Sequence, residues 1–283
     1  MKNEATSYYY LTTYHKALPN GYRITKTKRE SLLMQFYQIS VYQYDNQYKL
    51  VYFPRHVNEY ADNLYFRSFD DEKSSMIGDR FSCNISRARS AVLGLSMCND
   101  WQYFVTATLN KAKYDRFNLD AWRNDFSRWI RNQRQIHGHD FKYVLIPEQH
   151  DDGAWHMHGI VSGVPWDFLE RFEYMKHPPK LVAKGYRYHA AMMEKFGFNS
   201  FGKIQNKAAV SRYILKYIAK GLGESDLNNG SHLFYASQKL NRPQVIKEGC
   251  STCILTEVDF KNDYLASVWI DKAELDRISD YIL

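Results

Sequence analysis

Cysteine is scarce, with four residues in a chain of 283. Cys83, Cys98, Cys250 and Cys253 are too few to staple a chain of this length, which excludes a disulfide scaffold. Cys250 and Cys253 form a lone C-x-x-C. A zinc knuckle needs two more ligands and a redox pair needs a βαβ setting, so these read as unreactive, reduced thiols. Long apolar runs are also missing. No stretch approaches the roughly 20 residues that cross a bilayer, and the opening MKNEATSYYYLTTYHKALPNGY lacks the apolar core of a signal peptide. The chain therefore reads as soluble and intracellular, with no membrane partner. It has no Walker-type phosphate loop, so a P-loop ATPase domain is not indicated, and it shows no internal repeat or low-complexity tract.

What is present argues for a packed protein. Hydrophobic residues make up 45% and aromatic residues 16%, which disfavours global disorder. The length suits one large domain, or a catalytic domain with a modest accessory one. The net charge of +7 is unevenly spread. Residues 171–220 hold eleven Lys or Arg against Glu173 and Glu194, whereas residues 221–283 hold six bases and ten acids. A basic segment can be a solvated face. Interleaved with Tyr, Phe and His, it suits a polyanion better, because Lys and Arg displace condensed counterions and rings stack on bases. Lys180, Lys184, Arg187, Lys203, Lys207 and Arg212 are the candidate DNA-binding residues.

Within residues 1–80, YQISVYQY and YKLVYF flank Asp45, Asn46 and Gln47 and read as a hairpin without a chemical motif. A helix over ISRARSAVLGLSM leads into CNDWQYFVTATLN, which has strand character. Trp122, Phe126, Trp129 and Ile130 then fall at i, i+4, i+7 and i+8, predicting an amphipathic helix over 119–136 capped by Asn118 or Asp120. FKYVLIPEQ and AWHMHGIVSGV, joined by His150 to Gly153, read as an antiparallel hairpin. Asn206 opens a helix that Gly221 or Gly223 should end. A short strand is expected around HLFYAS, and a last helix in which Asp271 and Glu274 make a capping box before Leu275, Ile278 and Ile282.

Two constellations carry chemistry. His156 and His158 lie two apart on a predicted strand, so both imidazoles project from one face. The hairpin can return Glu148 to that face, making two histidines and one carboxylate with open positions, a set suited to Mg2+ or Mn2+ acting on a phosphate. An H-x-H also arises by chance, and zinc hydrolases use such strands. The second constellation is Tyr213, Lys216, Tyr217 and Lys220, two overlapping Y-x-x-K patterns on one helix. Tyrosines four apart share a helical face, and nearby ammonium groups supply the cation that a phenol of pKa near 10 needs to act as a nucleophile. On an isolated helix the same residues would be ordinary core positions.

In order, FVTATLN, then Glu148 with HMHG, then YILKY resembles the HUH endonucleases of rolling-circle replication, nearest to the phage and plasmid group that includes the filamentous-phage initiators. CNDWQYFVTATL, YVLIPEQHDDGAWHMHG and YASQKLNRP look like typical segments of that group, and Ala107 stands where it usually carries a larger apolar residue. The resemblance covers roughly residues 84–243. It implies an α+β fold: a central antiparallel sheet flanked by helices, over 84–246, with accessory segments 1–83 and 247–283. It further implies a nicking and rejoining enzyme with Glu148, His156 and His158 as metal ligands, and Tyr213 and Tyr217 as nucleophiles assisted by Lys216 and Lys220. Mg2+ or Mn2+ would be its cofactor. Its partners would be single-stranded or extruded origin DNA and a host helicase and polymerase, in the cytoplasm of a bacterial host cell. Tyrosines placed after the histidines match initiators, whereas conjugative relaxases place theirs before. A mobilisation relaxase and a non-catalytic DNA-binding regulator of the same fold are the rival readings.

Overall fold

The computed structural model describes residues 15–17, 23–25, 35–56, 77–149, 152–218, 232–251, 254–255, 258–261 and 265–282. The chain forms two compact units, Met1–Glu72 with Pro243–Leu283, and Lys73–Arg242. All described strand pairings are antiparallel, so the protein is α+β with antiparallel sheets and, among the described residues, six α-helices.

The first unit begins with β1 (His15–Ala17), β2 (Arg23–Thr25), β3 (Gln35–Tyr44) and β4 (Gln47–His56). β3 and β4 form the expected hairpin, but Gln47 pairs with Tyr44, leaving a two-residue turn. Asp45 takes φ +55° there, a conformation Asp tolerates better than most residues.

The second unit runs through α1 (Ile77–Met97), β5 (Tyr103–Thr108), α2 (Asp120–His137), β6 (Lys142–Gln149) and β7 (Trp155–Ser162). It continues with β8 (Glu170–Arg171), α3 (Pro179–Ala183), β9 (Arg187–Tyr188), α4 (Ala190–Phe196), β10 (Asn199–Lys203), α5 (Lys207–Ile214) and β11 (Tyr235–Ala236). Its seven strands lie in the order β11-β6-β7-β5-β10-β9-β8. One face packs on the α2 stripe of Trp122, Phe126, Trp129 and Ile130, which meets Tyr103, Val105, Met157, Val161 and Phe201. The other face packs on α1 and α5, with Val92, Leu95, Ile214 and Ile218 against Val144, Ile146 and Ile160. Cover on both faces explains why β6 reads as an unbroken apolar run, VLI, instead of alternating. Each fully buried ring or branched aliphatic side chain here contributes roughly 1.5–3 kcal/mol. Asn118 caps α2 by accepting the Asp120 N–H, and Gly138 ends it in the left-handed conformation.

The chain then returns to the first unit as β12 (Gln244–Ser251), β13 (Ile254–Leu255), β14 (Phe260–Lys261), β15 (Ala266–Ile270) and α6 (Lys272–Ile278). The sheets there are β12-β3-β4-β15-β14 and β1-β2-β13. Segments read from sequence as separate amino-terminal and carboxy-terminal extensions thus share one sheet. β12 flanks β3 and β15 flanks β4, and Leu275, Ile278 and Ile282 seal Ile39, Val41, Leu50 and Tyr52. The Asp271–Glu274 capping box is formed as expected. Cys250 is a free thiol on β12, and Cys253 lies outside the described residues. No helix among the described residues is long and apolar enough to cross a membrane.

His189 makes this fold sensitive to acid. It is buried at the start of α4, where Nδ1 accepts the Met192 N–H, and its Nε2 is buried without a hydrogen-bond partner. Burial, reinforced by His139, pushes its pKa down from 6.5 to about 4. Between those values the unfolded chain binds a proton that the folded chain refuses. Stability is therefore full above about pH 6.5 and falls toward pH 4, by on the order of 3 kcal/mol. Urea midpoints from pH 7 to pH 4 should show the loss, and His189→Asn, which keeps an acceptor at the cap, should flatten it. An unchanged pH slope in that variant would assign the acid sensitivity elsewhere.

Candidate active site

β7 lies between β6 and β5, so its side chains meet partners from both neighbours. Thr106 stands opposite His158, Thr108 opposite His156, and Glu148 opposite His156 on the far side. The period of two puts these side chains on the sheet face that carries α1 and α5. Thr106 Oγ1 lies 3.2 Å from His158 Nδ1, and Thr108 Oγ1 lies 3.0 Å from His156 Nδ1. The Glu148 carboxylate reaches diagonally, placing Oε2 2.6 Å from His158 Nε2. Gly159, closing the HMHG run, lets β6 pass close by: a Cβ there would stand 2.0 Å from the Val144 carbonyl oxygen.

Asn206 caps α5 by accepting the Ala209 N–H. The helix does not run on to Gly221 or Gly223. It tightens into a 3-10 turn over Leu215–Tyr217, and Ile218 is extended. Helix ends commonly tighten in this way, since i→i+3 bonds satisfy carbonyls left without α-helical partners. Here the turn also lets Tyr217 and Ile218 enter the sheet-facing core. Lys220, Gly221 and Gly223 lie outside the described residues.

The turn seats the tyrosines on the histidine face. Tyr217 stacks on His158 with ring centres 4.0 Å apart and planes 11° from parallel. Its hydroxyl donates to the Tyr213 hydroxyl at 2.9 Å. Lys216 Nζ lies 3.7 Å from the Tyr213 ring centre and 4.8 Å from that of Tyr217. Phe104, from β5, meets Tyr213 edge-on at 5.5 Å. The two phenols differ sharply. Tyr213 is 46% exposed and Tyr217 is 6% exposed. The Lys216 ammonium and the hydrogen bond from Tyr217 hold the Tyr213 pKa below the usual phenol value. Burial pushes Tyr217 up, and its hydrogen bond to Tyr213 and the charge of Glu148 add to the rise.

The donor set suits a divalent cation. Both histidines are oriented through Nδ1 by threonine hydroxyls, an outer-contact arrangement that leaves Nε2 as the ligating atom, and a carboxylate stands beside one of them. The cage is not closed in this conformation: among the described residues no three His, Cys, Asp or Glu side chains are grouped to hold an ion. Thr106, Thr108 and Phe104 are site residues that motif reading did not single out, although the T-A-T alternation placed both hydroxyls on one face.

The basic residues are dispersed. Lys180 and Lys184 are exposed in and after α3, and Arg212 is exposed on α5 beside Tyr213. Lys203 is exposed with its ammonium 4.5 Å from the Trp166 ring centre, and Lys207 lies 3.4 Å from Asp100. Arg187 differs. It is buried, donating to the Trp166 and Leu169 carbonyl oxygens and meeting Asp167, so it braces the core and does not track a DNA backbone.

Fold and site together describe an α+β protein in which an antiparallel sheet presents histidines and a carboxylate to a tyrosine-lysine helix. Residues 102–222 match a family model described as Replication-associated protein, of the ORF2 type, a stretch that contains β5, both site strands of the hairpin and α5. No curated protein and no solved structure matches the chain.

Proposed function

We propose that this chain is a rolling-circle replication initiator with an HUH endonuclease fold that nicks and rejoins single-stranded origin DNA. The observation that carries the reading is the Tyr213–Lys216–Tyr217 cluster seated on the Glu148–His158 pair. The family match over the same residues supports it. Tyr213 Oη attacks the scissile phosphorus, a Tyr–O–P bond forms, and the bond to the 3′ oxygen breaks. The products are a 5′-phosphotyrosine and a free 3′-OH that a host polymerase extends while a host helicase unwinds. The covalent bond conserves the phosphodiester energy, so Tyr217 or a returning 3′-OH reseals the strand without ATP. Lys216, and Lys220 beyond it, balance charge at the attacking and leaving oxygens. Glu148, His156 and His158 are the residues that would hold Mg2+ or Mn2+, whose role when bound is to polarise phosphoryl oxygens.

The test is incubation with a panel of single-stranded oligonucleotides and Mn2+, followed by denaturing electrophoresis. A shifted band that survives denaturation and disappears on nuclease or protease treatment is expected for an origin-like sequence. Tight binding with no adduct on any sequence of the panel would instead favour a non-catalytic regulator of the same fold.

A further inference from the structure

The segment 171–189 contains a feature that the nicking chemistry does not use. Phe172 is buried, with its ring against His177, Tyr188 and Phe198. Directly after it the chain makes a tight, braced turn. The Glu173 carbonyl accepts the Lys176 and His177 N–H groups, the Glu173 N–H donates to His177 Nδ1, and the Glu173 carboxylate pairs with Lys176. At the tip, Tyr174 is 74% exposed and Met175 is 87% exposed. Met175 also holds φ +69°, a left-handed conformation that costs an unbranched, non-glycine residue energy. A strained backbone that projects two large apolar side chains into solvent gains nothing from packing within this chain.

Charge identifies the occupant. Arg171, Lys176, Lys180 and Lys184 are all exposed around the tip, while the nearby acids Glu170 and Glu173 are engaged by Tyr188 and Lys176. A basic surround suits a phosphate backbone. The tip itself offers a phenol ring and a thioether, a poor set for reading base edges but well suited to π faces and to wedging between bases. We propose that Tyr174 and Met175 form a stacking tip that engages unpaired bases of the single-stranded DNA substrate, while Lys180 and Lys184 hold the adjoining phosphates. This rests on the reading of the chain as a DNA-nicking initiator and adds where the strand is held outside the nicking centre.

Fluorescence anisotropy of the full chain with labelled single-stranded and blunt duplex oligonucleotides, across a salt series, tests it. Tyr174→Ala should weaken single-strand binding by about 5- to 100-fold at every salt concentration, with the slope of log affinity against log salt unchanged. Lys180→Glu with Lys184→Glu should instead flatten that slope, by about 0.7 for each lost phosphate contact. Met175→Gly relieves the left-handed strain, so it should melt no lower than the wild type and yet bind single strands more weakly. Tyr174→Ala and Met175→Gly binding within about twofold of wild type would overturn the proposal. So would an equal loss on duplex, because the tip would then not be contacting unpaired bases. If the wild-type chain itself binds no single strand, the nicking function falls together with the tip, an outcome distinct from failure of the tip alone.

Discussion

Tyr213→Phe removes the covalent protein–DNA adduct, whereas Tyr217→Phe keeps it and impairs rejoining. Phe preserves the ring contacts of Tyr213 with Phe104 and Tyr217 and deletes only the hydroxyl. The assignment follows from the asymmetry of the pair. Tyr213 is the exposed phenol, its oxygen accepts from Tyr217, and Lys216 favours its ionised form. Tyr217 is buried on His158, with its proton held more tightly than in a free phenol. It therefore acts as a donor while Tyr213 attacks, and serves strand transfer only after Tyr213 is esterified. Mass spectrometry of the DNA-linked peptide decides the order. A modification at Tyr217 alone reverses it, and an adduct at neither residue discards the covalent mechanism.

His156→Ala with His158→Ala abolishes both Mn2+ binding and cleavage while leaving most of the DNA affinity. Two of the three candidate ligands disappear, and the remaining carboxylate is a weak site by itself. Thr106→Val and Thr108→Val act one step further out, since they release the Nδ1 contacts that orient the imidazoles. Loss of such outer contacts typically costs ~10–100-fold in metal affinity or activity, so the double histidine variant should lose more than roughly 100-fold. Calorimetric titration with Mn2+ reads the binding directly, apart from any nicking assay. Equal cleavage rates with and without EDTA would sink the metal assignment, and unchanged Mn2+ affinity in the double variant would move the site elsewhere.

Residues close in sequence carried much of the site. H-x-H on a strand places two imidazoles on one face because the backbone repeats every two residues, and the short 150–153 connection forces the antiparallel return that brings Glu148 beside them. The α2 stripe and the Asp271–Glu274 capping box are legible for the same reason, since helical spacing is written within a few residues. Charge counting, in contrast, placed Arg187 among the DNA-binding residues. A tally of bases cannot distinguish a solvated guanidinium from one that satisfies buried carbonyls.

What the sequence by itself determined was the identity and order of the chemical groups: Glu148, the histidine pair and the tandem tyrosines, each set by local periodicity. Tertiary structure alone decided which phenol is exposed, that α5 tightens before Ile218, and that β3 and β4 find their sheet partners in β12 and β15. The physical reason is range. Backbone periodicity and capping act over one or two turns, whereas burial, stacking on His158 and strand register between segments far apart in the chain depend on which surfaces meet, and leave no local pattern to read.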